Sequence, residues 1–165
     1  MYAGKTLPLS LSIIILSMTT MQHKMKYVPG VTTTLTYLLM LGLNIFLILG
    51  RKKASIRLDY LNDLLPEFYS HVSNFSISML LIVVVGYIWI LLGVGIKPLL
   101  LLALTVMVVN VIYELFIPVL NTRDITDAWY GVAGSMAGGL YLVLVKQYGV
   151  KPAPPVTTTA TKTSV

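Results

Sequence analysis

Four apolar stretches, each about as long as a bilayer is thick, constrain this chain more than any other feature of its sequence. A membrane-spanning α-helix needs about 20 mostly apolar residues. The four stretches are Val31–Gly50, His71–Ile96, Leu99–Leu120 and Ala128–Lys146. We therefore predict an all-α fold, a polytopic bundle of transmembrane helices. The expected location is a membrane crossed several times, with the cell membrane as the first choice.

The composition favours lipid over water as the surrounding medium. Only 11% of the 165 residues are charged and 56% are hydrophobic, whereas soluble proteins are about 25% charged. The net charge of +6 is expected to face anionic lipid headgroups, so membrane lipid and not nucleic acid is the predicted partner. The absence of cysteine excludes disulfides, thiolate metal ligands and cysteine nucleophiles.

The two ends of the chain differ from the four stretches. Residues 7–21 are apolar but short and rich in Ser and Thr, and we interpret them as an extra, uncleaved N-terminal helix. Residues 149–165 are rich in Pro and Thr and have no apolar period, which is typical of a disordered tail. The transmembrane domain is thus predicted to cover residues 1–148.

Residues 51–70 break the apolar pattern between the first two stretches. Their apolar positions have helical spacing: Ile56, Tyr60, Leu61, Leu64 and Leu65. This spacing predicts an amphipathic helix at the membrane surface. Pro66 is expected to end or kink that helix.

The connections divide the charges unequally between the two sides of the membrane. Residues 51–70 and 121–127 share one side, here called side A, and the opposite side is called side B. All six acidic residues lie on side A or just inside it: Asp59, Asp63, Glu67, Glu114, Asp124 and Asp127. If residues 7–21 span, Lys and Arg divide six to six and the positive-inside rule gives no orientation. If they do not span, the basic excess moves to side B, which would then be cytoplasmic.

Three predicted helices each carry a stripe of polar or small residues at helical spacing. The stripes are Glu67, His71, Asn74 and Ser78; Asn110 and Glu114; and Asp127, Gly131, Gly134 and Gly138. Polar groups in lipid turn inward because contact with hydrocarbon costs several kcal/mol for a charge. We expect the stripes to face one another near side A, with the three glycines allowing close helix packing.

Glu114 has two further features in the sequence around it. Pro118 lies four residues later, where its ring clashes with the Glu114 carbonyl and supplies no N–H to it, so a kink is predicted. Arg123 is the arginine close enough in sequence to fold back and pair with the Glu114 carboxylate.

A candidate polar pocket follows from these stripes. Its predicted ligand-binding residues are Glu67, His71, Asn110, Glu114, Arg123, Asp124 and Asp127. Each also has a structural interpretation: a Glu–Arg ion pair, carboxylates at a helix start, an interfacial histidine, or packing glycines. A metal site of His71, Glu114 and Asp127 is conceivable, but we predict no metal, no cofactor and no catalytic residue. The chain has no P-loop, GxSxG, HExxH or Rossmann pattern.

The same residues resemble the VanZ-like membrane family, which is named for a teicoplanin-resistance protein. Glu67 and His71 resemble its acid-x-x-x-His element, and Glu114 with Arg123 resembles its Glu…Arg spacing. Asp124 and Asp127 resemble its paired aspartates, which a glycine-bearing span follows. The sequence differs from the family at Ile117 and Gly131, where Gln and Asn are usual, and its aspartates lie two residues nearer the arginine.

The resemblance implies four spans and a role at the cell envelope. The leading functional prediction is a membrane protein whose polar pocket binds or handles an amphiphilic envelope molecule, with enzymatic turnover left open. The alternative is a non-catalytic accessory or structural subunit of a larger membrane complex, or a homo-oligomer. A small transporter or proton path is a third possibility, with one deeply placed acid but no pair of broken-helix repeats in its support.

Overall fold

The computed structural model describes residues 25–116 and 124–154 of the chain. In chain order the elements are β1 (Tyr27–Pro29), α1 (Val31–Lys52), a 3₁₀ turn (Ala54–Ile56), α2 (Asp59–Leu64), α3 (Phe68–Leu91), α4 (Ile96–Phe116), α5 (Ile125–Leu144), a π-helical turn (Val145–Gly149) and β2 (Val150–Pro152). The helices α1, α3 and α4, and α5 together with its π turn, are long and apolar enough to cross a membrane. This confirms the prediction of an all-α helical bundle in an integral membrane protein. The predicted helix at residues 7–21 lies outside the described residues.

The turn between α3 and α4 lies earlier in the chain than predicted. We expected one apolar span to end at Ile96 and the next to begin at Leu99, but α3 ends at Leu91 and α4 begins at Ile96. Gly93 has a φ of +89°, and the N–H of Val94 donates to the carbonyl of Trp89 at 2.9 Å. This is a Schellman motif, in which a left-handed glycine ends a helix. Pro98 lies in the first turn of α4, where no intrahelical donor is required of it.

The connection between α1 and α3 is less helical than predicted. The expected amphipathic helix over residues 51–70 is reduced to the 3₁₀ turn and the six-residue α2. The backbone is extended at Arg57, whose side chain folds back onto α1. Its Nε donates to the carbonyl of Gly50 and its Nη2 to that of Arg51, both at 3.0 Å. These bonds satisfy carbonyls that a helix C-terminus leaves unpaired, so they favour an interruption at Arg57.

Part of the predicted disordered tail is ordered. Val150–Pro152 forms β2 and pairs antiparallel with β1, so that Val28 lies opposite Lys151. The carbonyl of Gly149 accepts from the Gly30 N–H at 3.0 Å and from Thr33 Oγ1 at 2.7 Å. The prediction was wrong for these residues because the spacing of apolar residues contains no information about backbone pairing between distant segments. Residues 155–165 lie outside the described residues.

Helix α5 packs against both α3 and α4, and α1 packs against α3. A Cβ on Gly134 would collide with the carbonyl of Phe75, and one on Gly138 would lie 3.2 Å from Ile82. The structure thus places these two glycines where α5 meets α3. Their lack of a side chain lets the two backbones come close, which brings the N-terminal turns of α3 and α5 together on side A.

Candidate functional site

His71 lies in the first turn of α3 and is 8% exposed. The turn before it is formed by Glu67, which caps α3 with a left-handed φ of 65°. Such a φ is uncommon for a residue other than glycine and costs about 1–2 kcal/mol. Glu67 precedes His71 by four residues, so the two side chains lie on the same face at the start of α3.

Three carboxylates surround the His71 imidazole. Asp127 Oδ1 lies 2.9 Å from Nδ1, Asp124 Oδ2 lies 3.6 Å from Nδ1, and Glu67 Oε2 lies 3.6 Å from Nε2. The side chain of Asp127 is 15% exposed, that of Asp124 36% and that of Glu67 78%. We call these four residues the His71 cluster. Both ring nitrogens face a carboxylate, so a proton can be exchanged at either one.

Asp124 and Asp127 are positioned by the start of α5. Asp124 is its N-cap, and its Oδ1 accepts from the Thr126 N–H at 2.8 Å. This backbone hydrogen bond holds the pKa of the Asp124 carboxyl below its ordinary value, because it stabilises the charged form. Asp127 lies in the first turn, where the helix dipole also favours a negative charge.

Tyr130 forms an aromatic wall beside the His71 cluster. Its ring centroid lies 5.5 Å from that of His71 and 6.2 Å from that of Phe68. We had not predicted Tyr130 as a site residue. Its position three residues after Asp127, on the same helix face, was the signal that could have indicated it.

A second group of polar contacts lies deeper in the bundle. Glu114 of α4 is buried, and Asn74 Nδ2 donates to its Oε1 at 3.1 Å. Asn110 Nδ2 donates to Ser78 Oγ at 2.8 Å. A Cβ on Gly131 would lie 2.7 Å from Asn110 Cγ, so this glycine leaves room for the Asn110 side chain. Polar contacts therefore join α3 to α4 below the His71 cluster.

The structure thus brings most of the predicted site residues together. Glu67, His71, Asp124 and Asp127 form one cluster, and Asn110 and Glu114 contact α3 one to two turns deeper. Pro118 and Arg123 lie outside the described residues. The kink and the Glu114–Arg123 pair stay predictions, and so does ligand binding by any of these residues.

The cluster has the donor atoms of a cation site. Nδ1 of His71 and one carboxylate oxygen each of Asp124 and Asp127 lie within 4.8 Å of one another. Asp124 thus takes the place that we had considered for Glu114. Nitrogen and carboxylate donors suit several divalent metals, so the set does not select one.

Three clefts formed by described residues lie away from the His71 cluster. Of the three, the largest measures about 470 Å³ and lies between α1 and the π turn. The other two lie along α4 and between α4 and α5. None of these three is lined by the His71 cluster, so the cluster is a group of contacting side chains at the end of the bundle.

Comparison with known proteins adds no relative. The chain matches no protein-family model, no curated protein and no solved structure. The resemblance to the VanZ-like family therefore stays a prediction from the residues quoted above, and the function has to be argued from the site itself.

Proposed function

We propose that the His71 cluster binds the polar headgroup of an amphiphilic cell-envelope molecule whose apolar part lies in the bilayer. The observation that carries the proposal is the buried imidazole of His71, held 2.9 Å from Asp127 at the side-A end of two membrane-spanning helices. Carboxylates face both nitrogens of this ring, so the protonated imidazole would have an acceptor at each N–H.

The chemistry of the described residues favours a headgroup that donates hydrogen bonds. Ionised carboxylates only accept, so Glu67, Asp124 and Asp127 suit hydroxyl, amide or ammonium groups. The exposure of the three carboxylates rises from Asp127 through Asp124 to Glu67, so a headgroup at the surface would meet Glu67 and Asp124 first. The histidine would supply a proton acceptor or donor beside that headgroup.

The VanZ-like resemblance supports the same class of molecule. It implies a role at the cell envelope, and the residues that carry it include all four members of the His71 cluster. Arg123 is part of the resemblance and would add a partner for a phosphate or carboxylate on the same molecule.

The proposal is tested by extracting bound amphiphiles from the purified protein and measuring them by mass spectrometry. We expect Asp127→Asn and His71→Gln to retain about ten-fold less of the molecule, because a hydrogen bond to a charged group contributes about 1.5–3 kcal/mol. Asp63→Asn is the matched control, since Asp63 is exposed on the same side of the membrane. Equal retention by all four proteins would contradict the proposal, provided that their unfolding midpoints agree.

An accessory role in a larger complex is the second candidate. It is favoured by the low burial of α1 and α4. Only 17% of the apolar segment of α1 and 22% of that of α4 are buried within the chain. Purification in a mild detergent separates the two functions. A partner protein present in constant ratio would favour the accessory role, and a stable lone monomer would count against it.

A further inference from the structure

A second region of the molecule, at the side-B end, has the features of a lipid-binding groove. A cleft formed by described residues, about 470 Å³ in volume, lies there between α1 and the π turn. Ligand sites in proteins commonly measure about 300–1,000 Å³. The groove is lined by Thr32, Thr36, Leu39, Tyr141, Leu144 and Tyr148, among others. It shares no residue with the His71 cluster.

The groove is mostly apolar, and the threonines of its α1 wall lie near the membrane surface. Thr32 and Tyr148 lie toward the membrane surface, at the start of α1 and in the π turn, whereas Leu39 and Leu144 lie farther along their helices. Eight residues of α1 separate Thr32 from Met40, which is about 12 Å along a helix. A molecule with a polar end and an apolar chain would match this order.

One wall of the groove includes a π-helical turn, which is an uncommon backbone structure. Val145–Gly149 is a π-helical turn, and π-helical turns occur frequently at functional sites. Thr33 Oγ1 donates to the Gly149 carbonyl at 2.7 Å, and the β1–β2 pair follows directly. These contacts tie the start of α1 to the end of α5 and fix the two walls of the groove.

The charges at this end are all positive among the described residues. They are Lys26, Lys97, Lys146 and Lys151, whereas all six acidic residues lie toward side A. Lys146 follows the lining residue Val145, and its Nζ lies 3.8 Å from the ring centroid of Tyr27 in β1. Lys151 is exposed on β2. Neither lysine lines the groove, but both lie on segments next to it, the π turn and β2, so this end of the molecule is complementary to a negative headgroup.

We propose that this groove binds one anionic phospholipid of the side-B leaflet. Its phosphate faces Lys146 and Lys151, and one of its acyl chains lies between Leu39 and Leu144. The lysines account for the preference for a negative headgroup, since each contributes about five-fold to the attraction of anionic lipid. The apolar end of the groove accounts for an acyl chain rather than a free phosphate.

The test is native mass spectrometry of the delipidated full-length protein, titrated with phosphatidylglycerol and with phosphatidylcholine of the same chains. We expect the first phosphatidylglycerol to bind about 25-fold more tightly than phosphatidylcholine, because two lysines each contribute about five-fold. The double variant Lys146→Gln/Lys151→Gln should lose this preference. The matched control is Lys97→Gln, which removes a lysine at the same end of the bundle from α4, a helix that contributes no residue to the groove, and it should keep the preference.

Two further variants separate the groove from simple surface attraction. Lys146→Arg/Lys151→Arg keeps both charges and should bind phosphatidylglycerol like the wild type, even if the glutamine variant is unstable. Thr32→Trp places a large side chain at the exposed mouth and should weaken the binding of both lipids. Equal affinity for the two lipids in the wild type would overturn the proposal, and so would unchanged phosphatidylglycerol binding by Thr32→Trp.

Discussion

At the scale of single residues, His71 is the residue that brings three carboxylates together. The imidazole is 8% exposed and lies 2.9 Å from Asp127. A buried polar group that loses its partner is left with an uncompensated desolvation cost. The stability of the bundle should therefore report on this contact.

Asp127→Ala removes the nearest partner of His71. We expect the free energy of unfolding to fall by about 1–3 kcal/mol, the usual cost of leaving a buried polar group unsatisfied. Denaturant unfolding in detergent micelles, followed by circular dichroism, measures the change. Asp63→Ala is the control, because Asp63 is exposed and surface substitutions usually change stability by less than about 0.5 kcal/mol. Equal stabilities of the two variants would show that the contact is absent in solution.

The lowered pKa of Asp124 predicts that the stability of the folded protein depends on pH. The Thr126 N–H lowers the pKa of this carboxyl in the folded protein below its ordinary value of 3.8. A lowered pKa gives a stability contribution that is complete above the ordinary value and is lost as the pH falls through the folded-state value. The contribution is small, since the Asp124 side chain is 36% exposed.

Asp124→Asn should keep the N-cap, because Asn caps helices as well as Asp does, and lose the titration. The fall in unfolding midpoint between pH 6 and strongly acid pH, about 3, should be smaller in Asp124→Asn than in the wild type. A larger fall in the variant would contradict the assignment.

At the scale of elements, the approach of α5 to α3 is what positions the site. A Cβ on Gly134 would collide with the Phe75 carbonyl, which is backbone and cannot rotate away. By contrast, a Cβ on Gly42 of α1 meets no atom of the described residues within 4 Å. The two glycines thus form a matched pair for substitution.

Gly134→Ala should lower the free energy of unfolding by about 1–3 kcal/mol, the usual cost of overpacking. It should also weaken the His71–Asp127 contact, because the two helices are forced apart. Gly42→Ala should leave stability unchanged or raise it by up to about 1 kcal/mol, through the higher helix propensity of alanine. Thermal unfolding of both variants in the same detergent makes the comparison. A neutral Gly134→Ala would show that α3 and α5 are not in close contact there.

Features that depend on one helix alone could mostly be predicted from the sequence, and features that depend on contacts between distant segments mostly could not. Helical spacing was sufficient to align Glu67, His71, Asn74 and Ser78, because it needs one helix only. The end of α3 at Leu91 was missed because the Schellman motif at Gly93 is a local backbone effect inside an apolar run.

Contacts between distant segments were less accessible to prediction from the sequence. The β1–β2 pair joins residues that lie more than one hundred positions apart in the chain, and three-residue strands have no period to detect. Asp124 was predicted as a helix cap and a pocket residue, but its distance of 3.6 Å from His71 depends on how α5 packs against α3. Helix packing of this kind is set by side-chain shape, which a hydropathy pattern does not contain.

At the scale of the whole molecule, the four crossings place β1 and β2 together on side B and the His71 cluster on side A. The chain contains no cysteine, so cysteines can be introduced in pairs without a background. Val28 and Lys151 are opposite each other in the strand pair, where Cα atoms lie about 4.5–5.5 Å apart, within the range for a disulfide.

Val28→Cys/Lys151→Cys should therefore form an intramolecular disulfide under mild oxidation, seen as a shift on non-reducing gels. The control pair Val28→Cys/Asp63→Cys should remain reduced, because these positions lie at opposite ends of the bundle. Cross-linking of the control pair and not of the strand pair would contradict the arrangement of the four spans.

Polar residues of two membrane-spanning helices, α3 and α5, meet at His71, and we propose that they bind an envelope amphiphile there. The most direct test is an experimental density map of the wild-type protein in nanodiscs made from host membranes. We expect the map to show His71 in contact with Asp127, and non-protein density that touches the two side chains and continues into the bilayer. A map in which the cluster is closed by protein side chains and water alone would contradict the claim.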